Sequence, residues 1–296
     1  MDTIAEILQS LFSGLSSGGM YALLAIGISL IYSSTKIINF AQGEFVMLGG
    51  MIMVFLYGDI RLPLFFAFFL TVLIVSVIGA LLKFVVYRPG KEIPLVTILI
   101  ITLGISFFIS GVAMHVWDKD LHIYPSFSGE DPFIVLGASI LPQSLWVIVI
   151  SIIVFAVLGL FFNLSIHGKA MKACAIDPIA ASLMGIKVNK MVLLSFILSS
   201  ALGAVAGIVI TPITMMEYSG GMLMALKGFS AALFGGMGSI VGAVLGGILI
   251  GLFESLAATF LSSGYKDLIT FLLIINILLF RPRGLMGSKL PEGLED

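Results

Sequence analysis

Eight apolar runs, each close to the roughly 20 residues that carry a helix across the hydrocarbon of a bilayer, follow one another along the chain with hardly a charge inside them. They lie at about 9–32, 40–58, 62–86, 93–114, 142–165, 191–213, 241–262 and 266–281. In lipid every backbone N–H and C=O must find its partner within the protein, so each run is predicted as a helix rather than an open strand. The composition leaves no room for a water-covered globule, since 59% of the 296 residues are hydrophobic and only 10% are charged. The expected fold is an all-α polytopic membrane helix bundle, one transmembrane domain over residues 1–296.

A ninth stretch, 222–238 (MLMALKGFSAALFGGMG), is short, rich in Gly and Ala, and holds Lys227. It reads either as a crossing or as a broken, re-entrant element buried among other helices. Lys and Arg collect at 83–91 (Lys83, Arg88, Lys91), at 166–190 (Lys169, Lys172, Lys187, Lys190) and in the tail (Arg281, Arg283, Lys289), whereas 115–141 carries Asp118, Asp120, Glu130 and Asp131 against Lys119. The positive-inside rule puts the basic stretches and Lys36 in the cytoplasm, and residues 115–141 with the N-terminus outside. A chain that starts outside and ends in the cytoplasm crosses an odd number of times. The eight full spans therefore take 222–238 as a ninth, short Gly-rich crossing.

Several chemistries are set aside by what the chain lacks. A net charge of -1 offers no basic surface for nucleic acid. One cysteine, Cys174, rules out an intrachain disulfide and a cysteine-based metal cluster, and reads as an incidental small residue rather than a nucleophile. His115, His122 and His167 show no metal-site spacing, and no cofactor is implied. The start MDTIAEILQSLF lacks the basic region of a cleaved signal peptide and is expected to remain in the mature protein. Gly238, Gly242 and Gly246 fall at i, i+4 and i+8, the pattern of a helix face that lets a neighbouring backbone approach closely.

Two stretches carry more than packing. Residues 166–190 form the informative basic loop, in which Asp177 followed by Pro178 is a helix-start signature. Gly185 can adopt the left-handed conformation that stops the helix. A helix over 178–184 is predicted, preceded by another at about 168–175. Ile179, Leu183 and Met184 lie on one apolar face, and Ala180 with Ala181 offers a surface for close approach, so the helix is shaped to dock into a partner.

The second stretch is TKIINFAQGEF at 35–45, polar where lipid is due. Asn39 and Gln42 have capping-box spacing, which predicts a helix starting near Asn39 with Gln42 and Glu44 in its first turns. A charge at the bilayer centre costs about 2.5–3.5 kcal/mol on insertion scales, so Glu44 must meet water or a partner. It sits either at a wet cytoplasmic interface near Lys36 or at a helix start drawn into the protein beside the transport path. Glu254, inside GLFESLAATFL, is a further path candidate that can equally pair with Lys227 or Lys266. Thr270 and Asn276 are expected to hydrogen-bond across helices, and the acidic outer loop to be solvated or to dock a binding protein.

IAASLMG at 179–185 resembles the EAA-x-x-x-G loop of ABC-importer permeases, and GKAMKACAIDPIAASLMGI resembles that loop in branched-chain amino acid permeases of the LivH type. NFAQGEFVMLGG at 39–50, GFSAALFGGMGSIVGAVLGG at 228–247 and the closing RPRGLMG resemble further stretches of the same family, in the same order. Ile179 stands where the family's loop usually carries Glu, which puts an ion pair to the ATPase there in doubt. The resemblance implies a permease of the prokaryotic inner membrane that partners a homologous permease, two ATP-binding subunits and an extracytoplasmic substrate-binding protein. Asp177, Pro178, Ile179, Ala180, Ala181, Leu183 and Gly185 would form its ATPase-coupling loop, and Asn39, Gln42, Glu44 and Glu254 are the path candidates. The sequence holds no G-x-x-x-x-G-K-[ST] motif, so ATP hydrolysis is expected on the partners and not here. A secondary transporter or channel for a small polar solute is the alternative, but it would call for paired acids at mid-membrane. An integral membrane enzyme would need a cluster of His, Asp or Cys near one interface.

The orientation is testable with Pro125→Cys and Lys289→Cys in a Cys174→Ser background. An impermeant thiol reagent applied to intact cells should label position 125 and spare position 289; the reverse pattern means an inverted topology.

Overall fold

The computed structural model describes residues 2–87 and 94–260, and beyond them Gly264, Leu268, Phe271, Leu272, Ile275, Asn276, Leu279–Arg281 and Gly284–Met286. The architecture is helical, with α1 (Asp2–Thr35), α2 (Gln42–Met53), α3 (Leu64–Val86), α4 (Leu95–Trp117), α5 (Pro142–Leu164), α6 (Ile166–Ile176), α7 (Pro178–Leu183), α8 (Val188–Thr214), α9 (Gly220–Gly235) and α10 (Ile240–Phe260). A small antiparallel hairpin, β1 (Phe133–Val135) and β2 (Ala138–Ile140), interrupts the loop between α4 and α5.

Among the described residues six helices are long and apolar enough to cross a membrane, over residues 4–35, 64–86, 96–117, 142–164, 188–214 and 240–260. The run at 40–58 does not become one long α-helix: α2 has 12 residues and continues as a wider π-helical stretch from Val54 to Asp59. The short stretch 222–238 is the equally short α9, and the expected span 266–281 falls largely outside the described residues.

Burial sorts the helices into an inner and an outer set. Every residue of α2 is buried, and α1 and α8 are sheathed over most of their length, whereas α3, α4 and α5 turn most of their side chains outward. Apolar side chains such as Phe66, Phe69, Phe108 and Ile152 are exposed on these outer helices. In water that pattern would be untenable; in lipid it is the expected outer face.

Close backbone contact holds the inner set together. A Cβ added at Gly207 of α8 would stand 2.0 Å from the Val46 carbonyl of α2, and one added at Gly43 would stand 1.9 Å from the Gly221 carbonyl of α9. Gly242 and Gly246 likewise receive α9, but Gly238 is not on their face: it precedes α10 in a turn at φ 85°. The i, i+4, i+8 pattern fails there because the helix begins only at Ile240.

The depth at which α2 begins follows from its neighbours. Gln42 is bonded to Ser199 of α8, and Gly27 of α1 lies beside both. Ser199 is about 16 Å along α8 from Val188, at 1.5 Å per residue. The chain therefore leaves α1, climbs back through residues 36–41, and starts α2 inside the bundle. At the other end Tyr57 packs edge-on against Tyr124 of the 118–141 loop, with ring centroids 5.7 Å apart. The start of α1 shares that end, since a Cβ at Gly137 would lie 3.3 Å from Ala5 Cβ.

Gly207→Ala is expected to destabilise the bundle, because the added methyl meets backbone and not a movable side chain. Overpacking of this kind costs about 1–3 kcal/mol and should lower the melting temperature in detergent; an unchanged transition would show that α2 and α8 can part cheaply.

Candidate functional site: the interior foot of α2 and the exposed α6–α7 loop

At the foot of α2 the capping box anticipated from Asn39 and Gln42 does not form. Asn39 Oδ1 instead accepts from the Ala41 N–H at 3.2 Å, a local turn, and the N-cap position, Ala41, has no side chain to offer. Gln42 spends its amide on tertiary contacts: Nε2 donates to the Ser199 carbonyl at 3.0 Å, and Ser199 Oγ lies 2.6 Å from Gln42 Oε1 and 2.8 Å from the Gly27 carbonyl. The bonds satisfy groups from three helices at once. Fixing Asn39 Oδ1 in the turn leaves Asn39 Nδ2 buried and without a partner among the described residues.

Glu44, the third residue of α2, has no exposed surface. Lys36 does not approach it but lies over the Tyr32 ring, 5.5 Å from its centroid. The Glu44 carboxylate accepts from Ser106 Oγ at 2.7 Å and from Ser110 Oγ at 3.2 Å, both on α4. On its other side it abuts the start of α9, where a Cβ at Gly221 would stand 2.5 Å from the carboxylate. The positive ends of two helices, α2 and α9, thus surround one acidic group, which is the field that favours an anion. Sequence reasoning missed both serines. In membrane helices Ser commonly bonds the carbonyl a turn earlier, so a Ser in an apolar run announces no distant partner.

Glu254 is arranged differently. Its Oε1 is 2.8 Å from Lys227 Nζ and its Oε2 accepts from Tyr21 at 2.8 Å, joining α10, α9 and α1 in a buried ion pair. Of the two lysines anticipated as its mate, Lys227 takes the role; Lys266 lies outside the described residues. Asn276 donates to the Leu272 carbonyl at 2.9 Å, four residues back along the chain, where the expectation was a bond across helices. Backbone that near satisfies the amide before any neighbour can. Thr270 lies outside the described residues.

In the loop, Asp177 Oδ1 accepts from the N–H groups of Ile179 (2.8 Å) and Ala180 (3.0 Å), with Pro178 in the first turn. Gly185 follows at φ 85°, its N–H bonded to Ser182 and that of Ile186 to Ala181, the paired closure that terminates a helix with a left-handed residue. The helix is defined at both ends, one residue shorter than 178–184. Its faces divide sharply: Ile179, Leu183 and Met184 are 73%, 83% and 83% exposed, while Ala181 is buried against its own chain. The exposed apolar face therefore consists of three large side chains, and Ala181 lies on the opposite, buried side of α7. Cys174, on α6, is also buried, and burial pushes its thiol up, away from the thiolate a nucleophile requires.

Comparison with known proteins now places this geometry. The family described as branched-chain amino acid transport system / permease component matches residues 10–278. The chain belongs to that family. The high-affinity branched-chain amino acid transport system permease protein BraD of Pseudomonas aeruginosa is 34% identical over 310 residues, covering 97% of this chain and 98% of its own. The corresponding LivH proteins of Salmonella typhimurium and Escherichia coli are each 32% identical over 296 residues, covering 95% of both chains. As a family member the chain is a polytopic permease component, and the resemblance carried by the loop and by 39–50 holds over nearly the full length.

The buried pair gives a prediction. Lys227→Met takes the ammonium away from a buried carboxylate, a change that costs about 3–5 kcal/mol in comparable pairs, whereas Lys227→Met combined with Glu254→Leu removes both charges together. The double variant should melt above the single one in detergent; a double variant that melts lower would mean the two residues act independently.

Proposed function

We propose that this chain is the membrane-spanning permease subunit of a binding-protein-dependent ABC importer of the prokaryotic inner membrane, moving branched-chain amino acids inward. It works with a homologous permease, two ATP-binding subunits and an extracytoplasmic binding protein, and is not itself an enzyme. The reading takes the chain as one domain with nine crossings, α2 with its π-helical extension and α9 counted among them, the N-terminus outside and the C-terminus in the cytoplasm. Two observations support that orientation: α1 begins beside the acidic 118–141 loop, and the basic α6–α7 loop stands at the opposite end.

The observation that carries the proposal is α7. A six-residue helix closed at both ends, with three large apolar side chains held in the open on the basic side of a membrane protein, has its conformation fixed before any partner arrives. The relatives are named as permease proteins of branched-chain amino acid transport systems, and we assign that exposed face to an ATP-binding subunit. Asp177, Pro178 and Gly185 set its shape, Ala181 packs it against its own chain, Ala180 lies in the open as a small residue that admits close approach, and Ile179 and Leu183, with Met184, supply the contact. An apolar Ile179 makes that contact hydrophobic where an acidic residue would have made it ionic. Asn39, Gln42 and Glu44 are assigned to the path, while Glu254 is committed to Lys227.

Leu183→Asp and Met184→Asp test the docking. Burying one such side chain contributes about 1.5–3 kcal/mol, so each variant should weaken co-purification of the ATP-binding subunits at least about ten-fold while its own melting temperature stays put. Full retention of the ATP-binding subunits by both variants would remove α7 from the mechanism. Ala181→Trp, by contrast, should lower the melting temperature of the isolated chain.

A further inference from the structure

We infer that Glu44, Ser106 and Ser110 form the seat for the ammonium group of the transported amino acid, with Asn39 as donor to its carboxylate, an inference that rests on the permease reading above. Glu44 is buried and has hydroxyl donors but no cationic partner among the described residues. The oxygens of one carboxylate and two hydroxyls make three acceptor groups, matching the three N–H bonds of a primary ammonium. A hard metal cation asks for six or more oxygens, which these three groups do not supply.

The other end of the ligand follows from a second, independent feature. Asn39 Nδ2 is a buried N–H donor with no partner among the described residues, five positions before Glu44 in the segment that leads into α2, and such orphans are rare because they are costly. One acidic acceptor and one orphaned N–H donor, five residues apart at the start of α2, answer the two charges of a zwitterion, which distinguishes an amino acid from a simple amine or a simple acid.

Access requires one helix to move, and the packing selects α4. α2 is interlocked backbone to backbone with α8 at Gly207 and with α9 at Gly43, so neither can withdraw alone. α4 lies over Glu44 with a narrow buried face of Ile98, Thr102, Ser106 and Ala113, while Phe107, Phe108 and Val112 are exposed and Gly104 and Gly111 meet nothing within 4 Å among the described residues. Displacing α4 breaks the two serine bonds and opens Glu44 from that side. The freed hydroxyl and carboxylate oxygens are those the ammonium takes up.

The experiment uses the complete importer, reconstituted with its ATP-binding subunits and leucine-loaded binding protein, trapped with vanadate, and assayed for radiolabelled leucine retained per transporter. Glu44→Gln should lower retention by roughly ten- to hundred-fold, the range for loss of a charged hydrogen-bond partner, with Glu44→Asp falling between it and wild type. Asn39→Asp keeps the acceptor of the Ala41 turn but removes the N–H donor, and should also lower retention. Wild-type retention in Glu44→Gln, or equal losses in the Gln and Asp variants, overturns the ammonium seat; wild-type retention in Asn39→Asp overturns the carboxylate end. Wild-type ATP hydrolysis that ignores leucine-loaded binding protein would instead overturn the permease reading itself, so the two failures are told apart.

Discussion

α2 begins inside the bundle with every residue buried and α9 begins against it, and the arrangement around them answers the N–H groups they leave open. The first turn of any helix has donors without intrahelical partners, and inside a membrane protein each unsatisfied one is expensive. At α2 the Asn39 side chain and the carbonyls of Asn39 and Ala41 take up part of that demand through the Ala41, Gln42 and Glu44 N–H groups. At α9 the Glu44 carboxylate lies against the start of the helix. The acid is thereby placed where helix ends favour a negative charge, and glycines at 43 and 221 bring the two starts close enough for one side chain to serve both.

The second buried acid shows what the first lacks. Glu254 meets an ammonium and a phenol, and its charge is balanced inside the chain; such a pair fixes how α1, α9 and α10 fit together. Glu44 meets hydroxyls and helix ends, groups that support a carboxylate without neutralising it. The difference separates a residue that holds the structure from one that can exchange partners. It also explains why burial alone could not rank the two, since both are almost fully enclosed.

The helices were legible because apolar runs of about 20 residues admit few folds, and the loop was legible because Asp-Pro and Gly act within one turn of chain. Short range is also where the reading failed. Asn39 and Gln42 have capping-box spacing, but Ser199, 157 residues away, competes for the Gln42 amide and wins, because it answers both ends of it, its carbonyl accepting from Nε2 and its hydroxyl meeting Oε1. Ala181 reads as part of a docking face, yet the fold buries it on the opposite side of α7. Gly238 keeps the glycine period of α10 yet falls in the turn before the helix. Ser106 and Ser110 gave no signal, being two hydroxyls in an apolar run whose partner sits on another helix. In each case the deciding contact is tertiary, and local pattern contains only the candidates.

The same contacts define how a push on the loop travels. Ile186 bonds back to Ala181, and α8 starts two residues later, so α7 and the foot of α8 move together. α8 is a continuous helix of 27 residues and meets α2 at Gln42–Ser199 and again, backbone against backbone, at Gly207. On the proposed role of α7, a displacement entering there would be carried by α8 to α2. α4 shares none of this interlocking near Glu44; there it is joined to α2 by two serine hydrogen bonds, each worth about 1.5–3 kcal/mol when the acceptor is charged. A rigid shift of α2 against a neighbour held by two such bonds strains those bonds before it strains the interlocked backbone. The weakest joint along the route from the loop is therefore the one that covers Glu44.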